Sequence, residues 1–595
     1  MPDEKTPDEK TPDERTPDER TPDEKTPEER ADGKRPVELN GPAELNGPAE
    51  LNEPVALNEP VELNGPAELN ELTNHDSVDL VDLVDIRHPS PVEPYYADFP
   101  EQESPDDVAH VDEAAARPPR LRMAAIIGAR LVAGSAGAVL AVAVIVAASV
   151  ATLPNVRAVA PSVLVTPIAT EQQLVCSGAL LQLSDATGQN ASGVSELGPA
   201  KVTSAATAGD ATMTPFAKSV AGTGQTGSAP QLLSAQPDPT TPVLLSGAQA
   251  QNVISGESVG LAAAGCSAAA GDSWLVGGST TTGRTTLLTM SNPSDVAATV
   301  DLEIFGPLGE VSAPGLTGIS VPPGSQSVVS LAGFAPEVES PVVHVQSRGG
   351  LVVAELQQTV VRGIEPGGVD LVAAGTTPRL VNVIPGVVVS NSAAVEPRLG
   401  EVGYADLKTI LRMYAPGQEG GSVTVSIQPE DGQTPSTTFD IDVEAGLVDD
   451  LPIDNLVDGN YTFTLESEVP IVAAARVSTA GSVAGRTDFA WMTTASLLGS
   501  DALVSAPVGV QSTLHLANTR GSAAEITVQA LEGDITTVPV ASGAAIVVPI
   551  AAGESYRLSG VDEVYASITT SVDGGLAGYT VLPPARSSSP IRIYP

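Results

Sequence analysis

Between residues 154 and 595 the chain has two histidines, His344 and His515, and imidazole acid–base or metal chemistry there would have to run through them. His515 lies in Leu514-His515-Leu516, whose counterparts in two related stretches are Leu288 and Arg412, so it reads as an ordinary outward position on a strand. His344 alternates as Val343-His344-Val345 and reads as solvent-facing. Neither has an Asp and a Ser at a spacing that suggests a nucleophile relay. A hydrolase built on strands would need two carboxyls about 5 to 10 Å apart across a cleft. Glu303, Glu355 and Asp488 are the strand acids of that kind, and nothing in the sequence pairs them.

Asp454-Asn455-Leu456-Val457-Asp458-Gly459-Asn460 gathers oxygen ligands around a turn but lacks the regular spacing and closing Glu of a calcium loop, so it reads as an Asx-rich turn. No C-x-x-C spacing occurs, which argues against zinc. Gly277-Gly278 and Gly349-Gly350 read as turn glycines, without the strand–loop–helix setting of a phosphate cradle. Trp274 and Trp491 read as core or inter-module packing rather than as a sugar platform. The expectation is therefore no catalytic residue, no cofactor, no metal and no enzyme activity.

The elements around these residues sort about one apolar stretch. Leu131 to Leu153 is 23 residues without a charge, enough to cross a hydrocarbon core of about 30 Å as a helix. Arg117, Arg120, Arg122 and Arg130 precede it and only Arg157 closely follows, which puts the N-terminus in the cytoplasm and the rest outside. A cleaved signal peptide after Ser149-Val150-Ala151 or Ala158-Val159-Ala160, with Met123 as the true start, is the alternative. An uncleaved single-pass anchor in the cell membrane is the preferred reading.

Residues 1–116 carry acidic pentads (TPDEK, TPDER) and then P-A-E-L-N-G hexads, with Pro recurring too often for helix or sheet, so they read as a disordered tail. Thr6, Thr11 and Thr16 precede prolines as potential phosphorylation sites, and Asp79 to Asp85 offers one acidic-apolar turn. Net charge is −44, divided as −24 before residue 117, +4 in 117–153, and −24 beyond. With only Lys201, Lys218 and Lys408 in the part beyond the apolar stretch, nucleic acid is an unsuitable partner for it. Cys176 and Cys266 both fall on the outer side, where a cysteine pair reads as a disulfide.

Residues 154–275 read as a stalk, a few strands and a low-complexity insertion over about 184–245. Thereafter landmarks recur. Val300 to Ile304, Val423 to Ile427 and Ile526 to Ala530 alternate as half-buried strands. Each is preceded by a short strand and followed by a glycine bend. Val343 to Ser347, Thr462 to Ser467 and Ala566 to Ser571 come next, leading into Val352 to Ala354, Ile471 to Ala473 and Leu576 to Gly578. The order predicts an all-β ectodomain of three tandem β-sandwich modules, 276–375, 376–500 and 501–595, after a transmembrane helix in 117–153.

Cys266, the run Ser273-Trp274-Leu275-Val276-Gly277-Gly278, then Gly283-Arg284-Thr285-Thr286-Leu287, Ser291-Asn292-Pro293 and Val321-Pro322-Pro323-Gly324 resemble the domain-of-unknown-function 5719 family of high-GC Gram-positive bacteria. The resemblance spans roughly 125–590 and implies a membrane-anchored cell-envelope protein without assigned activity. The sequence thus predicts a non-catalytic scaffold or accessory binding subunit, with cell-surface polysaccharide assembly as its setting. Its partners would be the membrane and envelope proteins or cell-wall glycans. A surface adhesin or glycan-binding module is the alternative, and an all-β glycoside hydrolase the third reading.

Overall fold

The computed structural model describes residues 163–165, 171–184, 193–216, 229–238, 243–254, 256, 258–482, 486–584 and 591–593. All lie within one compact unit, Ala147–Pro595. The predicted tail, its Thr-Pro sites, the apolar stretch and the stalk up to Pro161 lie outside the described residues. Among the described residues no helix is long and apolar enough to cross a membrane. The architecture is all-β with multiple sheets, and the short Ser392–Val395 is the α-helix of the described part.

Three successive groups of strands share one pairing plan. In the first, Asp272–Val276, Val342–Gly349, Ala298–Gly306 and Gly309–Val311 form one sheet, with Ile319–Val321 attached. Ser325–Ser330, Arg284–Asn292, Val353–Arg362 and Glu365–Ala373 form the other. Both contribute to one core that includes Leu275, Leu288, Val300, Ile304 and Leu356. Alternation is the cause: Ala298, Val300, Leu302 and Ile304 point inward while Thr299 and Glu303 face out.

The second group fuses two of these strands into Gly459–Ala480, which pairs with Gly421–Pro429 early and with Ile410–Tyr414 and Thr487–Thr493 late. The handover spans Pro470, which has no N–H for a ladder. In the third group, Gln511–Asn518 lies between Ala545–Ile550 and Val564–Val572, as Arg284–Asn292 lies between Ser325–Ser330 and Val353–Arg362. The landmarks Ala566 to Ser571 and Leu576 to Gly578 are therefore displaced by one strand. The true counterpart of Val342–Gly349 is Ser555–Ser559, which pairs with Ala524–Ala530. That strand, Ser-Tyr-Arg-Leu-Ser, is too short and polar to show the period.

The predicted low-complexity insertion contains paired strands. Lys201–Ala206 joins Leu245–Val253 and Gly260–Gly265, and Gln231–Ala235 lies between Gln172–Cys176 and Thr212–Pro215. Small residues hide the pattern because packing requires them. A Cβ on Gly247 would lie 2.2 Å from Leu233 and 2.8 Å from Cys266 Sγ. Gly260–Gly265 is wedged between groups: Ala262 and Ala264 meet Val369 and Leu371, while Leu261 and Ala263 join the core of the third group.

Two glutamines strap the stretch from Gly178 to Leu181, Gln357 from the first group and Gln249 from the neighbouring strand Leu245–Val253. Gln357 accepts the Leu181 N–H at 2.8 Å and donates to its carbonyl at 2.6 Å. Gln249 does the same for Gly178 at 3.0 and 2.9 Å.

Cys176 and Cys266 are bonded, with Cα atoms 4.3 Å apart across a sequence separation of 90. Closing so long a loop restricts the unfolded chain, so reduction is expected to lower stability by about 2 to 4 kcal/mol. Urea unfolding with and without a reductant checks this; equal midpoints would contradict it. Finally, Val163–Val165 pairs antiparallel with Ile591–Ile593.

Candidate functional site

His515 is sealed, not outward. Its Nδ1 lies 2.5 Å from Glu430 Oε2 and its Nε2 2.7 Å from Thr569 Oγ1. Glu430 Oε1 accepts the Gly386 N–H at 3.0 Å and the Thr462 hydroxyl at 2.7 Å. Gly386 (φ +78) is required here, because a Cβ would lie 3.0 Å from the imidazole. Carboxylate, imidazole and hydroxyl in line resemble a nucleophile relay. However, all three side chains are buried, so no substrate reaches the hydroxyl. The alternating pattern placed His515 off the core of its own group, and the second group then covers that face.

His344 is also buried rather than solvent-facing, for the same kind of reason. Its ring stacks on Trp274 at 4.0 Å, with Nδ1 2.7 Å from Glu303 Oε2 and Nε2 3.2 Å from Asp272 Oδ2. Trp274 in turn meets Phe305 and Tyr414, the latter from the second group.

The three strand acids occupy three separate environments. Glu303 is taken up by His344. Glu355 is buried against the Ser177 hydroxyl, and burial pushes its carboxyl up to about 7. Asp488, on Thr487–Thr493, accepts the N–H of Leu261 (2.8 Å) and Leu576 (3.3 Å) on Oδ2 and that of Val369 (3.2 Å) on Oδ1. Those donors belong to Gly260–Gly265, Gly575–Thr580 and Glu365–Ala373, so one carboxyl ties the first and third groups and the wedge to the second. A Cβ on Gly368 (φ +117) would lie 2.5 Å from Asp488 Oδ1, and only glycine lets that backbone approach. Burial outweighs the N–H donors and raises the Asp488 carboxyl to about 8.

Asp370 gave no signal in the sequence, since one acid in an alternating strand looks outward. It is sealed, accepts the Trp491 N–H at 2.7 Å, and is held well above the carboxylate range by burial. Its Oδ1 has no hydrogen-bond partner among the described residues. Glu355 and Asp488 both act on it electrostatically, so the three form a buried acidic series.

Gly277 and Gly278 are joint residues. A Cβ on Gly277 would lie 3.3 Å from the Trp491 indole, and the Gly278 carbonyl accepts Arg412 Nη1 at 2.9 Å. Arg412 lies over Trp491, 4.6 Å from the ring, and binds Asp450 through Nε at 2.7 Å and Nη2 at 2.9 Å. In the Asx-rich turn, Asn455 is left-handed (φ 66), Asp458 accepts the Ser392 N–H at 3.0 Å, and Asp454 faces Lys408 at 3.7 Å. No group of three or more His, Cys, Asp or Glu side chains is arranged for a metal among the described residues.

One accessible concavity among the described residues, a cavity of about 780 Å³, lies where the disulfide-bonded segments meet the first and third groups. Val175, Leu245, Val353, Leu503, Tyr579 and Leu582 help line it. Glu171 and Asp272 are its charged residues, with no Lys or Arg, so it disfavours an anionic group.

The profile of a family of unknown function, DUF5719, matches residues 220–562. The chain belongs to this family. The DUF5719 match is narrower than the sequence resemblance and runs from the region of small-residue strands to the third group. Within the residues that carried the resemblance, Trp274, Gly277 and Gly278 meet the second strand group in this chain. No curated protein matches the chain. Among solved structures, the BSP domain of a biofilm associated protein is similar at 10% identity, over 72% of this chain and 99% of its own, with a TM-score of 0.11 that is too low to indicate a shared fold.

Proposed function

We propose that this DUF5719 protein is a single-pass, membrane-anchored component of the cell envelope whose three sandwich modules work by binding, as a scaffold or accessory subunit of surface polysaccharide assembly. The observation that carries the reading is the placement of its shifted acids. Glu355, Asp370 and Asp488, which elsewhere would mark an acid–base site, are sealed inside joints between strand groups. Buried groups in such joints hold modules in a fixed relation, which suits a body that presents surfaces to neighbours.

Crosslinking in intact cells tests the proposal. The expected result is capture of membrane-embedded polysaccharide enzymes, together with reduced surface polysaccharide in a deletion strain. Retention of the purified protein on wall fractions, with no membrane neighbour captured, would replace this reading with the adhesin.

A further inference from the structure

Two backbone edges lie side by side at the disulfide and then part. Val175, on Gln172–Cys176, and Ser267 exchange N–H bonds at 2.8 and 2.9 Å, next to the Cys176–Cys266 bond. Antiparallel pairing would continue from there to Gln173 and Ala269, two residues farther along each edge. No backbone bond joins those two. Each edge is held from its other side instead. Gln172–Cys176 is laddered to Gln231–Ala235. Ala270 exchanges N–H bonds with Val352 at 2.9 and 3.2 Å, and the Gly271 carbonyl accepts the Ser347 N–H at 2.9 Å. Those bonds draw the second edge toward the first strand group.

The cavity of about 780 Å³ opens where the edges part, and Glu171 to Val175 and Gly265 to Ala270 both line it. Backbone groups alternate along a ladder, so the Gln173 N–H and carbonyl lie on the same edge as those of Val175, away from Gln231–Ala235. Gln173 is exposed and Ala269 half-buried, so a ligand can reach this edge from solvent. Val353, Leu503 and Tyr579 give the cavity apolar walls. Glu171 accepts from the side-chain amides of Gln173 and Gln236 at 3.2 and 2.8 Å, and Asp272 lies 3.2 Å from His344 Nε2. Both carboxylates are exposed, and neither has a Lys or Arg partner among the described residues.

We propose that this cleft takes an extended, basic peptide segment of a partner protein as an added strand. The peptide main chain bonds to the open edges at Gln173 and Ala269, and alternate apolar side chains enter the cavity. A Lys or Arg of the same segment meets Glu171 and Asp272. At a net charge of −44, this chain favours a foreign basic segment over a second copy of itself. The site is independent of the membrane anchor and of the polysaccharide setting, so its failure would leave the crosslinking test open.

The test pans the full chain in detergent against a display library of random heptapeptides and resynthesises the selected peptide with a fluorescent label. The selected peptide should carry Lys or Arg, bind saturably at one-to-one stoichiometry and weaken with salt. On binding, hydrogen exchange at the Gln173 amide should slow roughly tenfold, and methylating alternate backbone nitrogens of the peptide should weaken it roughly tenfold. Glu171→Lys, an exposed change, should weaken binding roughly fivefold, while Glu310→Lys, outside the cavity, should leave it nearly unchanged. Should Glu171→Lys fail to fold, the methylated peptide and the exchange measurement on wild type decide. An unenriched library, or a peptide indifferent to methylation, would overturn the proposal. A concentration-dependent dimer that excludes the peptide would overturn it too and give the cleft to a second copy.

Discussion

Glu430→Ala is expected to destabilise the folded chain by about 3 to 5 kcal/mol, the range for breaking a buried pair on one side. The loss strands His515, the Gly386 N–H and the Thr462 hydroxyl where water does not reach. His515→Ala should cost a similar amount, since it leaves the Glu430 carboxyl facing a void. The two effects must not add. Both remove the same contact, so the double variant should cost about 2 kcal/mol less than the sum. Urea unfolding followed by fluorescence of the buried Trp274 and Trp491 would show this. Strict additivity would mean that the pair is not coupled in solution.

The second large effect is a fall in stability as pH rises. Asp488 and Glu355 are raised to about 8 and about 7 in the folded chain, so the folded state holds their protons more tightly than the unfolded state does. Their contribution is complete below the ordinary carboxylate range and is lost as pH climbs through about 7 and 8. For Asp488, moving from 3.8 to about 8 corresponds to a loss on the order of 5 kcal/mol. Asp370 is raised by the same burial and acts in the same direction.

Asp488→Asn keeps one carbonyl for Leu261 and Leu576 but turns an amide toward the Val369 N–H. It should therefore be less stable than wild type at pH 5 and much flatter between pH 5 and 9. Comparing both proteins at high salt removes the general repulsion of a chain at −44. An unchanged slope in the variant would show that Asp488 does not titrate in this window.

What could be read beforehand follows from what is local. Val300 to Ile304 announces its strand because inward and outward positions alternate within five residues. The all-β class follows from many such stretches and their turns. His344 and His515 were misplaced because an outward face on one strand says nothing of what later covers it: Glu430 lies 85 residues from His515. The glutamine straps escaped for a related reason, since Gln249 and Gln357 look like surface residues until a backbone is laid against them. Gly277 and Gly278 were visible as glycines, but the approach of Trp491 that demands the first of them comes from another strand group. Asp370 leaves no mark at all, because a lone charge in a strand is ordinarily an exposed one.

The pairing of Val163–Val165 with Ile591–Ile593 bears on how the molecule is made. During synthesis the earliest of these strands must wait without this partner until nearly the whole polypeptide has been translated. Asp488 waits as well, for Leu576. A product ended by a premature stop before that residue would leave the Asp488 carboxyl one N–H donor short and a strand without its mate. Such a product would be open to proteases, which gives the cell a way to discard incomplete copies.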